Sequence, residues 1–232
     1  MWRITRYTAN PGLTLAILLT VVALTATAAQ ARPKKRLAIG GGLITSRVSG
    51  DTDGSRYYFR DPNFGPFILA GDLEPGSGGL LTFQVTFIDH LGLDVLLMQT
   101  NHDATHTALP GYTMSAHILS LMTMARGNLP LGERFELYGR AGISYDYLTY
   151  DDNTVTVTSV ELKSSTFEGL GLGLGFGAAM FLGPVGIDAG LLYQRVSFDY
   201  LSADTVDGAL DDTLDVNIVS AMLTATYHFV DR

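Results

Sequence analysis

Cysteine is absent from the 232 residues, tryptophan occurs once, and 15 basic residues stand against 23 acidic ones. Each shortage closes off a class of protein. Without cysteine there are no disulfides and no thiolate metal sites, so an exported chain must be stabilised by burial and by closure of its own hydrogen-bond ladders. The acidic balance leaves no basic patch to neutralise phosphates, which argues against nucleic acid as a partner. After residue 31, no apolar run reaches the ~20 residues of a membrane-spanning helix without a charge or a glycine-rich break. Any membrane embedding beyond that point must be by strands.

What is present begins with a secretory pattern. Arg3 and Arg6 precede a mostly apolar run from Leu13 to Leu24, and Ala29-Gln30-Ala31 supplies the small residues of a cleavage site. The expected organisation is a signal peptide over residues 1–31 and a single domain over 32–232. An uncleaved anchor is the competing reading, but the apolar run is short for a spanning helix. Removing Arg3 and Arg6 leaves 13 basic residues against 23 acidic ones.

The domain alternates with period two, the signature of half-buried strands. Its plainest segment is Gly169–Gly177, where Leu170, Leu172, Leu174 and Phe176 occupy one face and glycines the other. In a membrane barrel the bulky face meets lipid and the bare face lines a narrow interior. Eight strands are expected: Arg36–Val48, Gly79–Ile88, Leu93–Asn101, Thr113–Arg126, Phe135–Tyr150, the glycine strand, Val185–Tyr200 and Val216–Phe229. On the fifth, Leu137, Ala141, Ile143, Tyr145 and Tyr147 oppose Glu136, Tyr138, Arg140, Ser144 and Asp146. The facing of Thr113–Arg126 stays open because both alternate sets contain apolar residues. A bulge near Arg195 is expected, since Val196, Phe198 and Tyr200 fall on the parity opposite to Ile187, Leu191 and Tyr193. Connections alternate long and short, which predicts an all-β, eight-stranded antiparallel up-and-down transmembrane barrel of the bacterial outer membrane.

From Ser120 to Tyr147 the chain carries Leu-Pro-Leu-Gly followed by Phe-Glu-Leu-Tyr-Gly-Arg-Ala-Gly-Ile, and it closes on Thr-Ala-Thr-Tyr-His-Phe. These segments resemble the small outer-membrane barrels of OmpA-like, OmpW-like and opacity type. The resemblance implies insertion by the barrel assembly machinery, contact with outer-membrane lipid and lipopolysaccharide, and a monomer. Here Val230, Asp231 and Arg232 follow the aromatic Phe229, with which that family usually ends.

Few residues suggest chemistry. Glu136, Arg140 and Asp188 point inward, and the bare face of the glycine strand would let Arg140 reach ~10 Å, two strand spacings, toward Asp188. Such an ion pair is either a gate, as the resemblance implies, or a static neutralisation of charges buried in a filled lumen. Asp204, Asp207, Asp211, Asp212 and Asp215 crowd the last loop, where they would hold a divalent ion or remain a solvated acidic surface. His102, Asp103 and His106 are expected together in the second long loop. His117 and Ser120 lack the His-x-Ser spacing of the lipid A deacylases and fall on opposite faces of one strand. Gly173–Ala178 matches a dinucleotide fingerprint, but no helix pattern follows. No catalytic residue and no cofactor is expected. The leading expectation is a structural, surface-contact or narrow-pore barrel. The alternative is an OmpW-like conduit for small hydrophobic molecules, suggested by inward Leu96, Met98, Leu192 and Met222. A lipid-modifying enzyme comes third.

Overall fold

A computed structural model of the chain describes residues 36–52, 56–58, 68–70, 72–88, 90–105, 113–151, 153–155, 160–162, 165–203 and 213–229. The 1–31 signal segment lies outside them. Eight long strands form the architecture: β1 (Arg36–Gly50), β2 (Gly76–Ile88), β3 (Leu91–Thr105), β4 (Thr113–Leu131), β5 (Phe135–Tyr150), β6 (Ser165–Leu182), β7 (Val185–Ala203) and β8 (Leu214–Phe229). Each pairs antiparallel with its sequence neighbours, and β1 pairs with β8 from Leu37 opposite Phe229 to Gly50 opposite Val216. The sheet is thereby a closed ring, which satisfies every ladder without an edge.

Tight turns join β2 to β3, β4 to β5 and β6 to β7. Gly132 and Gly183 adopt φ of 74° and 64° in the last two, a region that L side chains rarely enter. All three turns lie at one end of the barrel, and all long connections lie at the other. The strands run 13 to 19 residues, well beyond the ~9–11 that cross a bilayer. The surplus lies at the long-loop end.

The outer wall divides at a definite height. Toward the short turns it presents Leu43, Leu81, Leu97, Leu121, Ile143, Leu172, Leu174, Phe176, Leu191 and Leu223, all exposed. Beyond Arg47, Gln99, His117, Tyr147, Glu168, Arg195 and Asn217 the outward residues are polar: Ser49, Asn101, Asp103, Ser115, Thr149, Thr166, Ser197, Asp199 and Asp215. The inner face inverts at the same height. Near the long loops it is an apolar core of Val48, Met114, Ile118, Leu148, Tyr150, Phe167, Val196, Phe198, Leu214 and Val216. The barrel is therefore a membrane section continued by a section built like a soluble protein.

This inversion corrects the expected bulge near Arg195. Gln194, Val196 and Phe198 are all buried, while Arg195 and Ser197 are exposed, so β7 keeps one parity there. The greasy side changes because the medium outside changes, not because the strand slips. The same fact settles β4. Its even residues, Met114 through Asn128, face inward throughout.

Candidate functional site

The lumen is filled in four successive levels. Nearest the short turns is a charged level, then an apolar one of Ile44, Leu80, Leu96, Met98, Met122, Met124, Leu192 and Met222. A polar belt follows, with Ser46, Thr100, His102, Ser120, Ser144, Asp146, Gln194 and Ser220 buried. The apolar core of the outer section lies beyond it.

Arg126 of β4 is the hub of the charged level. Its guanidinium lies 3.3 Å from Asp94 of β3, 3.2 Å from Glu136 of β5 and 3.6 Å from Asp188 of β7. Its Nε donates to Asn128 Oδ1 at 2.8 Å, and its Cζ stacks 3.8 Å above the Tyr138 ring. Arg140 reaches Asp94 at 3.6 Å and donates to the Met222 sulfur at 3.5 Å. These ion-paired side chains are no more than 8% exposed. Three carboxylates thus share two guanidinium groups in a space that excludes bulk water. Removing one partner there strands a charge, whereas an exposed pair gives way at little cost.

Glu136, Arg140 and Asp188 all lie in this level, but Arg140 forms its ion pair with Asp94, not with Asp188. Asp188 is taken by Arg126 and by Tyr138, whose hydroxyl donates to Asp188 Oδ1 at 2.6 Å. Tyr138 is therefore the side chain that crosses the glycine strand. A Cβ added at Gly177 would collide with its hydroxyl, and one at Gly175 would fall 2.9 Å from Arg140 Nε. The bare inner face of β6 is a trough for the long side chains of β5. Sequence reasoning missed Arg126 because the facing of its strand was open. Arg126 and Asn128 on the parity of Ser120, opposite Leu119, Leu121 and Leu129, carried the signal.

The other expected sites fare differently. Asp204, Asp207, Asp211 and Asp212 lie outside the described residues. Asp215 is on β8, outward, 3.5 Å from Arg195, and its backbone N–H donates to Asp51 Oδ2 at 2.9 Å. His102 and Asp103 are not in a loop: they belong to β3, His102 inward and Asp103 outward, and His106 is outside the described residues. His102 bonds Ser46 Oγ at 3.1 Å, Thr100 Oγ1 at 3.0 Å and the Glu74 carbonyl at 2.8 Å, as a core histidine. Alternation through Thr105 required the longer strand, and the sequence hid it behind His-Asp-Ala-Thr-His. His117 faces outward, bonded to Asn101 and Asp151, while Ser120 is buried inside. Among the described residues no group of His, Asp and Glu is arranged to hold a metal ion.

Residues 16–229 match the family model described as an outer membrane protein beta-barrel domain. Among solved structures, neisserial surface protein A aligns at a TM-score of 0.52 with 13% identity over 83% of this chain and 97% of that one. Outer membrane protein AlkL, determined in DMPC bilayers, aligns at 0.51 with 12% identity, covering 88% and 95%. The attachment invasion locus protein Ail of Yersinia pestis aligns at 0.48 with 20% identity, covering 84% and 99%. No curated protein sequence matches the chain.

Proposed function

Because the chain belongs to the outer membrane protein β-barrel domain family, and so resides in the bacterial outer membrane, we propose that it is a non-catalytic barrel whose lumen stays shut at rest. Its outer section then serves to present the long loops to the surroundings. In this layout the short turns face the periplasm and the loops face outward. The succession of filled levels carries the reading, and the Arg126 hub is its strongest element. An interior of eight strands is just wide enough for side chains to fill it. The ion network of Glu136, Arg140 and Asp188 acts, on this reading, as a latch that keeps the charged level packed.

Planar-bilayer recording tests the closed lumen. The unaltered protein should be silent, and Arg126→Ala should admit ions by leaving three carboxylates without their common partner. Steady conductance of the unaltered protein would sink the reading. A second reading, a conduit for small hydrophobic molecules, is favoured by one feature: the methionine-rich level, whose unbranched thioether side chains repack easily. Uptake of an apolar dye into proteoliposomes, faster than into protein-free vesicles, would select it over the first.

A further inference from the structure

Among the described residues, the wall presents two basic side chains at the height where its outward face turns from apolar to polar, Arg47 of β1 and Arg195 of β7, and both are exposed. They flank the same strand. Arg47 stands opposite Val219 and Arg195 opposite Asn217 of β8. Two strand spacings and a two-residue step put their Cα atoms roughly 12 Å apart. Between them Asn217 accepts a hydrogen bond from the Tyr193 hydroxyl at 2.7 Å, which leaves its amide hydrogens for another acceptor.

We propose that Arg47, Arg195 and Asn217 dock the phosphate of an anionic lipid in the outer leaflet. Charge complementarity selects the occupant, because guanidinium groups grip phosphate through paired, charge-assisted hydrogen bonds. The position selects a lipid over a soluble anion. Directly beneath lie the exposed Leu43, Val219, Leu223 and Leu191, a surface for the acyl chains of the same molecule. At this height and beyond it the other outward charges of the eight-stranded wall are acidic, on Asp103, Asp151, Glu168 and Asp199, with His117 the one further outward base among the described residues of that wall. Asp215 opposes Arg195 at 3.5 Å and Asp51 bonds the Asp215 backbone. With side chains 67% and 49% exposed, the Arg195–Asp215 pair is weak enough for a phosphate to replace.

The proposal rests on the outer-membrane setting and not on the closed lumen, so the conductance result and this one are independent. The full chain, folded in detergent, is mixed with lipid A in diphosphorylated and dephosphorylated forms that share their acyl chains. Native mass spectrometry then counts the lipid retained. The unaltered protein should prefer the phosphorylated form by about tenfold or more. R47A/R195A should lose that preference, and R134A, altered at a short turn, should keep it. Both replaced side chains face outward, and heat-modifiable migration verifies that the variants are folded. Equal retention of the two lipids by the unaltered protein, or a preference that survives R47A/R195A, would overturn the site. Displacement of the lipid by inorganic phosphate at matched concentration would overturn the lipid as its occupant.

Discussion

The membrane section and the outer section are built from the same eight strands in the same register, yet their chemistry is opposite. On β4, Arg126 and Asn128 point inward beneath outward Leu121 and Leu129, whereas Met114 and Ile118 point inward beneath outward Thr113 and Ser115. Alternation decides which residues share a face. The surrounding medium decides which face is greasy. A lipid bath takes the apolar side chains outward and leaves polar groups to satisfy one another inside, and water reverses the assignment. The polar belt with Asp146, held by Ser144 at 2.5 Å and Gln194 at 3.4 Å, marks the changeover within the lumen.

Substitutions that distinguish the two sections test this difference, the largest effects coming from their two interiors. Arg126→Ala should destabilise the barrel by about 3–5 kcal/mol, because it leaves buried carboxylates unpaired. Urea unfolding in lipid vesicles reads that loss. In the outer section Phe198, fully buried, plays the corresponding part. Phe198→Ala should cost about 3–5 kcal/mol through the cavity it opens, with no change in conductance. Should Phe198→Ala prove neutral, the outer section has no true core. The outer faces give the next contrast. Leu174→Arg should cost about 2–4 kcal/mol on the lipid side, while Ser197→Arg should stay within about 0.5 kcal/mol. Equal costs at these two positions would erase the boundary drawn between the sections. Between those two costs falls Tyr138→Phe, which should lose about 1.5–3 kcal/mol for one hydrogen bond to a charged group, read as a lower urea midpoint.

Much of the fold was legible because β5, β6 and β8 each keep one chemistry per face over most of their length. The leucines of Gly169–Gly177 vote for lipid, and those four side chains are 62–70% exposed. Where a strand crosses the boundary, pattern reading failed for a physical reason. Val196 and Phe198 imitate a change of parity, and Met114 and Ile118 blur the facing of β4, although both strands alternate regularly through those residues; the register of β7 shifts only beyond them, between Tyr200 and Ser202. The charged level was legible in its residue types and not in its pairing. Glu136, Arg140 and Asp188 could be placed inward from their own strands, but Asp94 and Arg126 enter through lateral neighbours that only the register supplies.

The strand lengths have a consequence for what reaches this protein from outside. Nineteen residues of β7 at about 3.3 Å each, tilted by roughly 40°, rise about 48 Å. An apolar band ~25 Å tall accounts for about half of that. The remainder works as a rigid pedestal that starts the loops roughly 23 Å above the apolar band. Shortening β7 and its partners by four residues each would lower that platform by roughly 10 Å without touching any loop, and a bulky probe such as an antibody would register the difference first.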